Sequence, residues 1–397
     1  MSFDLTKIVK NKDNNSYKNS GMVNNKYYDP SVESIAMTVA DMDFETLSFI
    51  KEAIIQWTNQ STFGYTYPGS EYYDAVVDYM QRHHQFEISK EDILVYGGVI
   101  EMIDQVIEVF TNPKDEIIIF TPVYHPFYRI IKNRNRTIND IPLLYYNNKY
   151  LIDFDAFIEQ AKKPQTKALL FCSPHNPVGR VWTKEELNKI VSICLENDLL
   201  IISDEIHFDL INSKHQHTVM STLSKEAENI SFILTSPSKT FNLAGLQCAN
   251  MIVKNKNLRG RLIDYRSRQT GQSVNALGLV ACQAAYTHGD EWVQALNELI
   301  ETNYHLIKSM IEKDLPQAIL YQLEGTYLCW LNLKEFNDND LLIEKLNKNQ
   351  VFVNDGKMFG VNGEGFVRIN IAYPTDLVKE MIGRLIRTFN KNVSRET

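Results

Sequence analysis

Six short apolar runs, separated by amphipathic stretches, constrain this chain more than any other feature. They are "DILVY" (92–96), "DEIIIF" (115–120), "KALLFC" (167–172), "LLIISDEI" (199–206), "SFILT" (231–235) and "ANMIV" (249–253). Each is rich in Ile, Val or Leu and is apolar on both faces. Parallel strands read this way, because their crossover helices cover both sides of the sheet. The stretch 183–197 between two of the runs reads as such a helix, with Thr183 and Glu186 as a capping box at its start. The alternation predicts an α/β fold with a mostly parallel sheet.

After about residue 285 the pattern changes. A long helix is predicted over roughly 290–313. It precedes "AILYQLEG" and "YLCWLNL", another helix, "GFVRINIA" and a last helix. Long helices with a few separated strands predict a smaller α+β domain. The N-terminal segment is expected to pack with it, because the two ends of a domain tend to lie close together. The division is then a large α/β domain at 46–284, and a small α+β domain from 1–45 plus 285–397. The 397 residues are enough for two cores. Residues 11–30 are polar and read as irregular.

The net charge of −8 argues against a nucleic-acid or anionic-membrane partner. No run of 18 apolar residues is present to span a membrane, and the first 20 residues lack the apolar core of a secretory signal. The five cysteines are odd in number, widely spaced and without a CxxC pair. They read as buried thiols in a reducing compartment, not as a disulfide framework or a zinc site. The expected location is the cytoplasm.

Ligands of open α/β sheets bind beyond the carboxyl ends of the strands, so the residues there are the candidates. Gly97-Gly98 opens the helix-like "VIEMIDQVIEVF"; this is either a plain tight turn or a phosphate cup of free N–H groups. Tyr124 sits in the proline-bounded "TPVYHPFY", as a stacking plate or as simple packing. Asn176 lies in "SPHNPVGR", which turn chemistry alone would explain. Asp204, Glu205 and His207 end "LLIISDEIHFDL". A carboxylate at the end of an apolar strand needs a partner. Asp204 and His207 could begin a metal site, but no third or fourth ligand lies near them in sequence, so a metal is not expected. Lys239 follows "SFILT". Together these strand ends offer an amine, a carboxylate, a ring, an amide and a phosphate cradle, which are the requirements of pyridoxal 5'-phosphate.

These stretches resemble the fold-type I pyridoxal-phosphate enzymes of the class I/II aminotransferase superfamily, and within them the MalY/PatB-type cystathionine β-lyases, or cysteine C–S lyases. The resemblance runs through "VADMDF" (39–44), "FGYTYPGSEYYDAV" (63–76), "PVYHPF" (122–127), "CSPHNPVGRVWTKEEL" (172–187), "SDEIHFDL" (203–210), "SPSKTFNLAGL" (236–246), "GTYLCWL" (325–331) and "GFVRINIA" (365–372). It implies that Lys239 carries the cofactor through a Schiff base, and that Asp204 pairs with the ring nitrogen. Asn176 would donate to the ring oxygen, with His207 near the same oxygen and Tyr124 stacked on the ring. The phosphate would take the N–H groups of Gly98 and Val99 and the hydroxyls of Ser236 and Ser238. Tyr65, with Tyr67 as a competitor, would reach the phosphate of a neighbouring subunit, which implies a homodimer with shared sites. Arg368 would hold the substrate α-carboxylate, with Ala40, Asn176 and Tyr65 also near the substrate; a structural salt bridge is the plainer role for Arg368. Asp41 and Asp43 either touch substrate or pair within their loop.

Two positions depart from the pattern. Thr38 stands where many relatives have tryptophan, and Gln247 where aminotransferases place a phosphate-binding arginine. The implied activity is β-elimination from L-cystathionine or other cysteine S-conjugates to a thiol, pyruvate and ammonia, with Lys239, Tyr124 and Asp204 as catalytic residues. An aminotransferase is the alternative. A non-enzymatic regulator on the same fold is more remote, because the family pattern begins near residue 37 and leaves little chain for a DNA-binding domain.

Overall fold

The computed structural model describes residues 3–9, 15–146, 149–269, 274–337 and 341–390. Its main sheet has seven strands, in the spatial order Ile93–Tyr96, Ala249–Ile252, Ser231–Thr235, Leu200–Asp204, Thr166–Cys172, Glu116–Thr121 and Thr137–Pro142. The last five are mutually parallel. All six predicted runs are present within a residue or two. "ANMIV" differs in direction: Ala249–Ile252 runs antiparallel to both of its neighbours. Its chain returns from Ser231–Thr235 through the short helix Pro237–Thr240 and the turn Ala244–Leu246, with no long crossover helix to carry it back to the start of the sheet. Thr137–Pro142 is an added edge strand. Its sequence "TINDIP" is half polar and ends in proline, which suits an edge exposed on one side.

The doubly apolar runs have a direct physical outcome. Ile117, Ile119, Leu170, Ile202, Phe232 and Met251 pack on one face, against the helices Val99–Phe110, Pro126–Asn133 and Lys256–Ser267. Ile118, Phe120, Leu169, Phe171, Ile201 and Ile233 pack on the other face, in a core continuous with the rest of the chain. Each fully buried aliphatic side chain stabilises the fold by roughly 1.5–3 kcal/mol. The predicted capping box is formed: Thr183 accepts from the Glu186 N–H, and Glu186 returns the bond to Thr183 N–H at 2.8 Å.

A second sheet has the order Ala36–Met37, Phe352–Asp355, Phe366–Asn370, Leu328–Asn332 and Ile319–Leu320. The helices Asp290–Asp314 and Thr375–Phe389 pack together beside it. The N-terminal strand Ala36–Met37 pairs in parallel with Phe352–Val353, so this segment does join the C-terminal part. The irregular reading of 11–30 is corrected in part: Tyr17–Val23 is a helix, capped by Ser16, and its buried residues include Lys18 and Asn19 as well as Met22. Polar residues facing inward leave no apolar periodicity to read. Residues 10–14 lie outside the described residues. All five cysteines are buried and free. Among the described residues, no helix is long and apolar enough to cross a membrane.

Candidate active site

The five parallel strands deliver their carboxyl ends to one edge, and the candidate residues follow from there. Asp204 is the last residue of Leu200–Asp204 and is only 3% exposed. One hydrogen bond reaches it, from Ile206 N–H to Oδ1 at 3.2 Å. Burial raises its carboxyl to about 7, with Glu205 adding to the rise, while the Ile206 N–H and Lys239 oppose it. A carboxylate so poorly solvated gains from any cation placed against it.

Lys239 lies in the short helix Pro237–Thr240 that follows Ser231–Thr235. Its ammonium donates to Ala40 O at 2.7 Å. Burial, with Arg368 adding to it and Asp41 and Asp204 pulling the other way, lowers it to about 8. A substantial neutral fraction near neutral pH is what a Schiff-base amine requires.

Arg368 is the centre of Phe366–Asn370 and is buried. Its Nη1 donates to Asn176 Oδ1 at 3.0 Å; its Nη2 donates to Thr38 O at 2.9 Å and Asn354 Oδ1 at 2.7 Å. Nε is buried without a partner. Among the described residues no carboxylate pairs with this guanidinium, so the structural salt bridge is not formed. Desolvation lowers it to about 10, with Tyr124 and Tyr327 offering partial compensation. Asn176, with Oδ1 turned to Arg368, keeps its Nδ2 as a donor. His207 is buried with Nδ1 unpartnered, and burial, Lys239 and Arg368 hold the imidazole neutral. Tyr124 is half-buried; desolvation and Asp204 raise its phenol, so it stays protonated.

The helix Val99–Phe110 begins at Gly98, whose backbone is extended. A Cβ at Gly98 would meet nothing within 4 Å, so the space before this helix start is open. The first N–H groups of a helix lack internal partners and attract anions. Gly97 N–H is already taken by Glu101 Oε2 at 3.1 Å, which leaves Gly98 and Val99 as the expected donors. Gln247 borders the same open cavity. Ser236 is buried, and its hydroxyl lies 2.7 Å from Cys248 O and 2.8 Å from Ser238 Oγ. It is therefore partly committed to its own turn.

Lys239, Asp204, Asn176, His207, Arg368, Tyr124 and Ala40 are thus brought to one region, linked by hydrogen bonds or mutual electrostatics. Tyr65 and Tyr67 are exposed, so a single chain leaves them outside this buried cluster. Asp41 and Asp43 pair within the structure, both with Lys18. Sequence reading missed Asn354 and Tyr327. Asn354 sits in a strand that was not predicted, Phe352–Asp355. Tyr327 is fully buried with an unpartnered hydroxyl, a feature that only the packed structure displays. An unpaired buried carboxylate, an amine, an unpaired guanidinium and an open helix start suit a zwitterionic amino acid beside a phosphorylated pyridine. Among the described residues no group of three His, Cys, Asp or Glu is arranged to hold a metal.

A half-buried lysine just beyond one strand of a mostly parallel seven-stranded sheet, with a buried aspartate at the end of the adjacent strand, places an amine and a carboxylate at the sheet's carboxyl edge, and the architecture is that of a fold-type I enzyme. The chain belongs to the class I and II aminotransferase family, whose pattern matches residues 32–385. It is 34% identical over 355 residues to cystathionine beta-lyase PatB of Bacillus subtilis (strain 168), covering 89% of this chain and 92% of that protein. Its fold is similar to that of cystalysin from Treponema denticola, whose crystal structure contains pyridoxal 5'-phosphate. The TM-score is 0.94 at 36% identity, over 98% of this chain and 99% of that one. It is also similar to the pyridoxal-phosphate-bound C–S lyase from Staphylococcus hominis, with a TM-score of 0.91 at 32% identity, over 99% and 100% of the two chains.

Proposed function

We propose that this protein is a pyridoxal-phosphate-dependent carbon–sulfur β-lyase that cleaves L-cystathionine or other S-substituted L-cysteines to a thiol, pyruvate and ammonia. The observation that carries the reading is Arg368, a buried guanidinium that no carboxylate of the described chain neutralises, linked to Asn176 and facing the region of Lys239. A substrate α-carboxylate supplies the missing charge. The relatives, named as lyases, favour elimination over amino transfer.

When bound, pyridoxal phosphate supplies an electron sink for negative charge developing at the substrate Cα. Lys239 is the residue to hold it, Asp204 to pair with its ring nitrogen, Asn176 and His207 to meet its ring oxygen, and Tyr124 to cover its ring. Gly98, Val99, Ser236, Ser238 and the partner subunit's Tyr65 are the residues for the phosphate. With a cation against it, Asp204 ionises fully, because the charge offsets the desolvation that raises its carboxyl. Arg368 fixes the α-carboxylate as a fork, and Ala40 lies beside the substrate. Lys239, with its ammonium already weakened, takes the Cα proton as a neutral amine. The Cβ–S bond then breaks with its electron pair leaving on sulfur, and Lys239 or the protonated Tyr124 returns a proton to the thiolate. The three-carbon enamine hydrolyses to pyruvate and ammonia.

The same reading assigns residues 46–284 to the cofactor domain, and 1–45 plus 285–397 to a small domain that carries Arg368. It also makes the working unit a cytoplasmic homodimer. The test is release of free thiol from L-cystathionine by the purified protein with added pyridoxal phosphate. Thiol release at turnover supports the lyase, and its absence from cystathionine and S-alkyl-cysteines alike overturns it.

A further inference from the structure

The loop 38–43 is a backbone platform under the site. Thr38 O accepts from Arg368 at 2.9 Å and Ala40 O from Lys239 at 2.7 Å. Val39 O and Asp41 O accept from Asn370 Nδ2 at 2.8 and 2.7 Å. Asn242 grips Met42 through both N–H and C=O, at 2.8 Å each. Where the Ala40 carbonyl stands against Lys239 therefore depends on how this loop is held.

Its other side is held by Lys18, from the helix Tyr17–Val23. This residue lies before the segment 32–385 that matches the family. Its side chain is fully buried. Nζ stands 2.9 Å from Asp41 Oδ1, 3.0 Å from Asp43 Oδ1 and 3.3 Å from Asp41 O, and 4.8 Å from the centre of the Tyr373 ring. The Tyr373 hydroxyl in turn lies 3.0 Å from Asp43 Oδ2 and 2.9 Å from Ala36 O. A buried ammonium persists only where its charge is matched. Here two carboxylates share one cation, and one of them, Asp41, also acts electrostatically on Lys239. Asp41 directly follows Ala40, so the ion pair and the Lys239 acceptor are one residue apart.

We propose that Lys18 is a positioning residue for the catalytic lysine: its buried ammonium, clamped between Asp41 and Asp43, fixes the Ala40 carbonyl against Lys239 and shields Lys239 from the charge of Asp41. This rests on the reading of Lys239 given above. The charged and titratable groups acting on Lys239 are Asp41 from the loop, Asp204 and His207 from the main sheet's edge, and Arg368 from the second sheet. Removing Lys18 leaves Asp41 uncompensated and favours the protonated form of the Lys239 nitrogen. Neutralising Asp41 does the opposite.

The test compares Lys18→Met, Lys18→Arg and Asp41→Asn with the wild type in the full chain. Three quantities are read. They are the pH midpoint of the visible absorbance of bound pyridoxal phosphate without substrate, kcat and KM for an S-alkyl-L-cysteine, and the Tm of the cofactor-free protein. Lys18→Met is expected to raise the midpoint by about half a pH unit or more and to lower kcat roughly tenfold with a smaller change in KM. Lys18→Arg is expected to restore most of the midpoint, and Asp41→Asn to lower it. If Lys18→Met does not fold, the downward shift in Asp41→Asn and the near-native midpoint in Lys18→Arg carry the test. Unchanged midpoints in the variants that fold, with only Tm reduced, make Lys18 a structural anchor and overturn the proposal. A wild type that takes up pyridoxal phosphate without any visible band overturns the reading of Lys239 itself, and this proposal with it.

Discussion

Arg368 Nη1 donates to Asn176 Oδ1 across 3.0 Å, tying the second sheet to the loop that follows Thr166–Cys172 of the main sheet. The bond aligns the guanidinium, and the remaining charge has no carboxylate partner among the described residues. Lys at this position cannot reach Asn176, Thr38 and Asn354 together, and it loses the planar fork. Arg368→Lys is therefore expected to raise KM for a cysteine S-conjugate roughly 30-fold or more, about 2 kcal/mol, with a smaller change in kcat. Steady-state kinetics check this; a KM within twofold of wild type contradicts it.

Asp204 has a sign that can be tested without turnover. Its carboxyl is held at about 7 in the cofactor-free fold and titrates from 3.8 when unexposed to that environment. Between these values the native state binds the extra proton. Asp204 therefore costs nothing below about pH 4, and the full penalty, at most roughly 4 kcal/mol, is reached above about 7. Cofactor-free Asp204→Asn should gain Tm relative to wild type as pH rises from 4 to 7, while losing much of its affinity for pyridoxal phosphate. A difference in Tm that does not change with pH contradicts the assignment.

Capture of pyridoxal phosphate by the cofactor-free protein needs the neutral amine of Lys239. An ammonium lowered from 10.5 to about 8 has a neutral fraction at pH 7 roughly 300-fold above that of an ordinary lysine. The capture rate, followed by absorbance, is expected to rise with pH and level off just above 8. A rate still climbing towards pH 10 contradicts the lowered value.

Tyr65 is exposed in the single chain. If it completes a neighbour's site, Tyr65→Ala and Lys239→Ala are each defective, yet a mixed dimer regains one intact site of its two. Random reassortment should restore about a quarter of wild-type activity. No recovery after mixing and refolding contradicts the shared site.

Much of this was legible in the sequence, because the main sheet's strands are covered on both faces and its site residues fall at strand ends. Asp204 ends an apolar run, and Lys239 and Asn176 each follow one, so position singled them out as candidates while their roles came from the resemblance. Arg368 sits inside a strand, and its lack of an acidic partner is a fact of three-dimensional packing. The direction of Ala249–Ile252 was illegible because an apolar run reads the same in either direction. Helix Tyr17–Val23 was missed because Lys18 and Asn19 face inward, where a sequence pattern expects apolar residues.

The most direct measurement is pyruvate formed from L-cystathionine, with and without 2-oxoglutarate, by wild type and by Lys239→Ala. Pyruvate and thiol are expected in equal amounts from the wild type without any keto-acid, and neither is expected from Lys239→Ala. Product that appears only with 2-oxoglutarate would make the protein an aminotransferase, and normal turnover by Lys239→Ala would contradict the site itself.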